Sequence, residues 1–497
     1  MHRFHSDDTK MTMRRHQIGR IQKPWINCVP PIQSGGLPAT DAPDVESTYS
    51  ELILKSLSSD KLRQRQTRDG NMIPATSPLT PPSTPPSPLE GSTTPAAPTY
   101  IEAETRKEIR IDLDKYPHLD PDVQGDIVER YRVLDAKIHA EGLYNCNYSA
   151  YLFDAGRCCA LLFLMIIFLR WEWFLLSAMC LGGFWYQLVF VVHDAGHMGI
   201  THHYHIDTFI GMFLANFIGG LSLGWWKHNH NIHHIVTNAP EHDPDIEHMP
   251  LFAVSHRFFA SLRSTYYDRV MHYTPFAQFV VQYQSYLYYV FLAFGRFNLY
   301  VLSWNYLLFT RTPRSMKWHR YFEVIGEIIF WYWFGYEILF LSIPTWPSRL
   351  SFILVSHMIN MPLHVQLTVS HFAMSTADLG PSESFPQKML RTTMDVDCPP
   401  WLDWMHGGLQ FQVVHHLFPR LPRHNFRRAQ ALVRKFCKET GIPYALYGFV
   451  EGNERVIGRL GEVSRQASIL AKCQEAIAQE QASFTLSTTP RKPIPST

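Results

Sequence analysis

The chain has 497 residues, 46% of them hydrophobic and 18% charged, with a formal net charge of +2. So small a net charge excludes an electrostatic grip on nucleic acid or on a strongly acidic partner. Its eight cysteines form no Cys-x-x-Cys pair, and two, Cys158 and Cys159, are adjacent in an apolar run, so nothing reads as a disulfide framework or a zinc site and a reducing cytosolic face is expected. The stretch from Met1 to Lys10 is polar, so no secretory signal is expected there. The first hundred residues are polar, so the apolar residues concentrate later, as membrane spans require.

In chain order, residues 1–36 do not read as a complete domain. Phe4-His-Ser-Asp-Asp-Thr-Lys10 and His16-Gln-Ile-Gly-Arg-Ile21 resemble the C-terminal part of a cytochrome b5 domain, and His5 matches that family's second axial haem ligand. The His-Pro-Gly-Gly motif with the first ligand is not in this sequence. Haem in that family needs both imidazoles and a pocket. Residues 1–36 are therefore expected to be a truncated remnant that holds no haem, either a relic or the product of a start placed too late. Residues 37–99 read as a disordered linker. Thr76-Ser-Pro-Leu-Thr-Pro-Pro-Ser-Thr-Pro-Pro-Ser-Pro88 is too rich in proline for helix or sheet and has little to bury.

Residues 100–450 read as a membrane domain. Tyr131, Leu134 and Ile138 recur at helical spacing and predict a helix packed on a cytosolic cap. Residues 152–169 and 173–192 are long and apolar enough to span, with Arg170-Trp-Glu172 as the turn between them. Residues 321–341 and 350–369 predict a second pair. Residues 206–223 have the length of a span, but a crossing there would separate His193 from His230, so a re-entrant or interfacial segment is expected. Residues 276–309 receive the same reading, because Arg296 and Asn298 would be costly at mid-bilayer. The expected fold is an all-α integral membrane protein. It has four transmembrane helices, interfacial helices, and a cytosolic helical cap around a histidine-rich two-metal site. Residues 451–483 predict an amphipathic helix with Val456, Leu460, Val463, Ala467 and Leu470 on one face, and 484–497 a disordered tail.

Three histidine clusters stand beyond the apolar runs: His193-Asp-Ala-Gly-His197, His230-Asn-Ile-His233-His234 and Gln412-Val-Val-His415-His416. His193 and His197, like His230 and His234, are four residues apart and fall on one helix face. Adjacent His233-His234 and His415-His416 can serve two sides of a site. Seven imidazoles are too many for one ion and suit two. Ligand type alone leaves zinc, copper, iron and nickel open. His357, His364 and His371 recur every seven residues at the fourth span and are expected to share a face. A buried histidine bonded to a neighbouring helix is as good a reading for the first two.

These boxes resemble those of the membrane fatty-acyl desaturase family, and Gln412 in place of the third box's first histidine marks its front-end branch. Asp403 to His424 and Gly224-Trp-Trp-Lys-His-Asn-His-Asn-Ile-His-His234 carry the likeness. The resemblance implies a non-haem di-iron centre with O2 as co-substrate. His193, His197, His230, His233, His234, His415 and His416 would bind iron, with His371 a further ligand. Gln412 would take a ligand position or orient a water. Asp194, Asn238, Asp243 and Asp245 would stand behind the ligands and fix ring tautomers. Removing hydrogen from an unactivated methylene needs an oxidant beyond any side chain, and this agrees. The implied product is a trans double bond at carbon 8 of a ceramide's long-chain base, with electrons from cytochrome b5 and its NADH-dependent reductase. The implied place is the endoplasmic reticulum membrane, with both termini cytosolic. Desaturation of ordinary acyl chains and hydroxylation on the same scaffold stay open from the sequence, as does a non-catalytic membrane metal-binding protein.

Overall fold

The structure, a computed structural model, describes residues 99–310 and 317–488. His5, the cytochrome b5-like stretch and the linker through residue 98 lie outside the described residues, as do residues 489–497. The described chain is mostly helical.

Helices α1 (Tyr100–Lys115) and α2 (Pro121–Ala140) precede the membrane segments. The first long apolar pair is α3 (Tyr148–Arg170) and α4 (Phe174–Gly196). Asn147 caps α3 by accepting from the Ser149 amide at 3.2 Å. The turn at Trp171–Trp173 bends where expected, through a positive φ of 60° at Glu172. The exposed Trp171 and Trp173 form an aromatic edge suited to a membrane interface. The second pair is α10 (Lys317–Phe330), continued as a π-helix over Trp331–Ser342, and α11 (Trp346–Met358) followed by α12 (Met361–Val369). These four segments are long and apolar enough to cross a membrane. The protein is therefore multi-pass. The fourth segment is not one straight helix: it breaks between Met358 and Met361, so His357, His364 and His371 do not share one continuous face.

Between the pairs, α5 (Tyr204–Met212) runs into a π-helix (Phe213–Gly219), turns at Gly220, and returns as α6 (Leu223–Val236), with a bend of 116°. Gly220 sits at φ +66°, and a Cβ there would meet the Phe330 ring at 2.3 Å, so the turn requires glycine. Glu323 anchors the returning helix. Its Oε2 accepts from Ser222 Oγ at 2.5 Å and from the Gly224 amide at 3.0 Å, a carboxylate at a helix N-terminus. A Cβ on Gly224 would lie 2.5 Å from Glu323 Oε1. The ring centroids of His197 and His230 are 5.0 Å apart, so the segment leaves the histidines and comes back to them. Cysteines placed at the exposed His203 and Ile235 are accordingly expected to react with an impermeant thiol reagent from one side of sealed membranes. Reaction from opposite sides would contradict the hairpin.

After a β-hairpin, β1 (Arg263–Ser264) with β2 (Arg269–Val270), the aromatic stretch folds as three short helices. They are α7 (Pro275–Gln282), α8 (Gln284–Ala293) and α9 (Gly295–Phe309). Arg296 is buried, with Nη2 donating to the Gly219 carbonyl at 2.7 Å and the guanidinium 4.1 Å from the Trp185 ring, so its charge caps the end of the π-helix. The cap is completed by α13 (Phe385–Thr392), β3 (Asp395–Asp397), α14 (Gln412–Leu417), α15 (Phe426–Thr440), and β4 (Leu446–Gly448), which pairs parallel to β3. Ile127, Tyr131, Leu134 and Ile138 of α2 pack with Val414, Leu417, Val433 and Phe436 of α14 and α15 in one core. The last helix, α16 (Phe449–Thr488), buries Val456, Leu460, Val463 and Ala467 on the expected face. It runs further than the sequence reading placed it, into the stretch taken as a disordered tail, because nothing from 484 to 488 breaks a helix.

Candidate metal centre

Three helix ends and one loop converge on the histidine side of the membrane pairs. His193 lies in the last turn of α4, and His197 follows directly. His230, His233 and His234 lie on α6, whose first turn is capped by Ser222 Oγ accepting from the Trp225 amide at 3.0 Å. His415 and His416 lie on α14, and His371 follows the end of α12. The four-residue spacings work as expected: the His193 and His197 rings are 4.8 Å apart, and those of His230 and His234 4.6 Å.

The imidazoles form two groups. One nitrogen from each of His193, His197, His230 and His415 lies within 4.8 Å of the others, and likewise for His233, His371 and His416. Adjacent His415 and His416 divide between the groups. His234 stands where they meet, 4.6 Å from the His415 ring and 4.3 Å from the His416 ring. Buried ring nitrogens left unpartnered are the observation that fits metal. His197 Nε2, both nitrogens of His415 and His416 Nε2 have no hydrogen-bond partner among the described residues. Such groups are costly unless an ion takes them. Burial first, then the neighbouring imidazoles, holds His197, His371, His415 and His416 well below the ordinary histidine range. They are neutral, as a metal ligand must be.

His233 differs. Burial works against its charge, but Asp243 and Asp245 outweigh it and raise the ring to about 9. Asp243 accepts from His233 Nδ1 at 2.9 Å, which leaves Nε2 toward His371 and His416, where a cation would take the proton's place. Asp243 is fixed in turn by the amides of Asn238, at 2.7 Å, and Asp245, at 2.9 Å. Asp245 lies 3.7 Å from His233 Nδ1 and 3.9 Å from His230 Nδ1.

Two expected partners sit elsewhere. Asp194 touches no box imidazole; it pairs with Arg423 and accepts from Tyr151 at 2.6 Å, because the α4 turn points it toward α3. Asn238, at φ 57°, gives its amide to the carbonyls of His371 at 2.8 Å, Thr392 and Ser375. It holds main chain behind the second group rather than a ring. His357 is a bonded core histidine, 3.1 Å from Tyr300 and 2.8 Å from the Ile353 carbonyl. His364 lies under Gly295 at the cavity wall, away from both groups. Gln412 lines the same cavity beside His415.

Sequence reasoning missed two supports. Arg423 is buried and joins Asp194 of α4 to Asp154 of α3. Asp395 of β3 accepts from the Val413 amide at 2.8 Å and from Gln430 at 2.8 Å, and so fixes the start of α14. Burial pushes the Asp395 carboxyl up to about 6. Arg423 stood inside the quoted third-box stretch, so that signal was available; Asp395 had none.

A cavity of about 1180 Å³ opens off both groups. It is lined by His193, His230 and His415 from one and His233 and His371 from the other, and also by the apolar Trp185, Leu188, Leu214, Leu299 and Leu363. Drug-sized ligands take about 300–1,000 Å³, so it can admit a long alkyl chain.

The model of a family described as fatty acid desaturase matches residues 170–448. The chain is 54% identical over 487 residues to a Delta 8-(E)-sphingolipid desaturase of Emericella nidulans, covering 96% of this chain and 87% of that protein. It is 47% identical to one from Kluyveromyces lactis, over 97% of this chain and 86% of the relative. A Delta(8)-fatty-acid desaturase of Helianthus annuus is 38% identical over 59% of this chain and 63% of its own.

Proposed function

The chain belongs to the fatty acid desaturase family, and on that premise we propose that it desaturates the long-chain base of ceramides, introducing a trans double bond at carbon 8. The observation that carries the reading is the pair of imidazole groups opening onto one apolar cavity. The relatives named above and covering most of this chain act, by their names, at that position of a sphingolipid.

The protein is a membrane enzyme of lipid metabolism, an oxidoreductase. We assign two iron ions to the imidazole groups. His193, His197, His230 and His415 would hold one, His233, His371 and His416 the other, and His234 lies between them. Bound there, iron would supply the oxidising power that no side chain has, with O2 as the oxidant consumed. The chain's own residues do the rest. Asp243 holds the proton at His233 Nδ1 and so fixes which nitrogen faces inward. Asn238 and Asp395 set the main chain carrying His371 and the third box. The apolar walls exclude water and hold an alkyl chain straight past the histidines. Gln412 faces the cavity beside His415, where its amide can orient a water. Two electrons per double bond must come from outside, and cytochrome b5 with its NADH-dependent reductase is the assigned donor. The endoplasmic reticulum membrane, with both termini and the histidines on the cytosolic face, is the assigned place.

Lipid profiling tests the substrate. A host lacking such activity, given this gene, should accumulate ceramides lighter by two hydrogens, with the new double bond at carbon 8 of the base by fragmentation. Unsaturation confined to fatty acyl chains, or an added hydroxyl, would overturn the reading.

A further inference from the structure

The cavity is also lined by Tyr266, Tyr267 and the exposed Arg269, from the β1–β2 hairpin, and by Glu247. Glu247 is 5% exposed. Its Oε2 accepts from Ser264 Oγ at 2.5 Å, and Ser264 Oγ in turn accepts from the Tyr267 amide at 2.9 Å, so the hairpin holds the carboxyl in one orientation. Oε1 has no hydrogen-bond partner among the described residues. A buried carboxyl oxygen without a donor is costly, and a ligand that brings donors would relieve it.

The position suits a particular ligand. Glu247 is two residues from Asp245, whose carboxylate is 3.7 Å from His233 Nδ1, and it lines the same cavity as His230, His233 and His371. In a long-chain base, carbon 8 is separated from carbon 3 by five carbon–carbon bonds, about 6 Å when extended. With carbon 8 at the imidazoles, the hydroxyl on carbon 3 and the amide N–H on carbon 2 therefore come to the neighbourhood of Glu247. These are the donors that an ordinary fatty acyl chain lacks at that distance.

Resting on the ceramide reading above, we propose that Glu247 is the polar anchor of the substrate site. It accepts hydrogen bonds from the C3 hydroxyl and the amide N–H of the base, and so sets which carbon meets the metals. The hairpin residues Ser264 and Tyr267 position it. Glu247 is a binding residue that fixes register; it takes no part in hydrogen removal.

The test uses the purified full-length, metal-loaded protein, supplied with cytochrome b5, its reductase and NADH. Ceramide, its 3-deoxy analogue and the free long-chain base are compared. Glu247→Leu should raise KM for ceramide about 10-fold or more, raise KM for the 3-deoxy analogue by clearly less because only the bond from the amide N–H is then lost, and scatter the double bond to neighbouring carbons. Glu247→Gln keeps one acceptor and should fall between; it carries the test if the leucine variant does not accumulate. Equal effects on ceramide and the 3-deoxy analogue, or none on either, would overturn the anchor and leave the ceramide reading standing. A wild-type protein inactive on ceramide would remove both. A larger effect on the free base than on ceramide would overturn the ceramide donors in favour of an ammonium group.

Discussion

His415→Ala should abolish product while the protein stays in the membrane, and His234→Ala should do the same. His415, of the third box, lies 4.5 Å from the His193 ring, 4.7 Å from His197 and 4.6 Å from His234, and so meets both the first and the second box. Neither of its nitrogens has a hydrogen-bond partner among the described residues. Removing the ring therefore breaks no such bond, and the fold should survive. The effect falls on what those nitrogens would hold. Removing a group behind a ligand already costs about 10–100-fold in metal affinity or activity, so removing the ligand itself should cost more than 100-fold. Product measured per unit of membrane-inserted protein checks this. Activity within a few-fold of wild type in both variants would contradict the assignment.

Arg423→Met should destabilise the protein by about 3–5 kcal/mol, the usual cost of stripping one partner from a buried ion pair. Arg423 is buried, and its two Nη atoms reach Asp194 and Asp154, one on each helix of the first membrane pair. It also lies 5.0 Å over the Tyr151 ring. Methionine fills part of the space but leaves the Asp194 carboxylate without a cation and Asp154 with Arg157 alone. Arg423→Lys restores one point charge and cannot fork to both acids, so it should recover only part of the loss. The double variant Arg423→Met, Asp194→Asn should be more stable than Arg423→Met alone, because the stranded carboxylate is then gone and Asp154 keeps Arg157. Thermal unfolding of the detergent-solubilised protein reads all three. A single variant as stable as wild type would show that the network contributes nothing.

The parts of this molecule that were legible in the sequence are those with a period. Apolar runs of span length, the four-residue histidine spacing and the stripe of Tyr131, Leu134 and Ile138 each carry their geometry within a few turns. The turn at Gly220 was legible indirectly, from the demand that His193 and His230 meet. What was not legible is set by distant contacts. Asp194 looked like a ring partner because it sits between two ligands, yet its place in the turn aims it at Arg423, far along the chain. Asp395 carries no motif, and its role exists only because β3 lies against α14. The break after Met358 did carry a signal, Pro362 in the first turn of α12, which cannot continue the hydrogen bonding of α11, but the heptad of histidines read as one face. Asn238 adopts a left-handed conformation that its amide stabilises through three carbonyls, all of them more than a hundred residues away.

The central claim is that the imidazole groups hold two metal ions, and metal content tests it most directly. Full-length protein purified without chelators should contain two iron ions per chain, and His415→Ala clearly fewer at equal purity. Wild-type protein with no iron, or a His415→Ala variant with the full complement, would contradict the account.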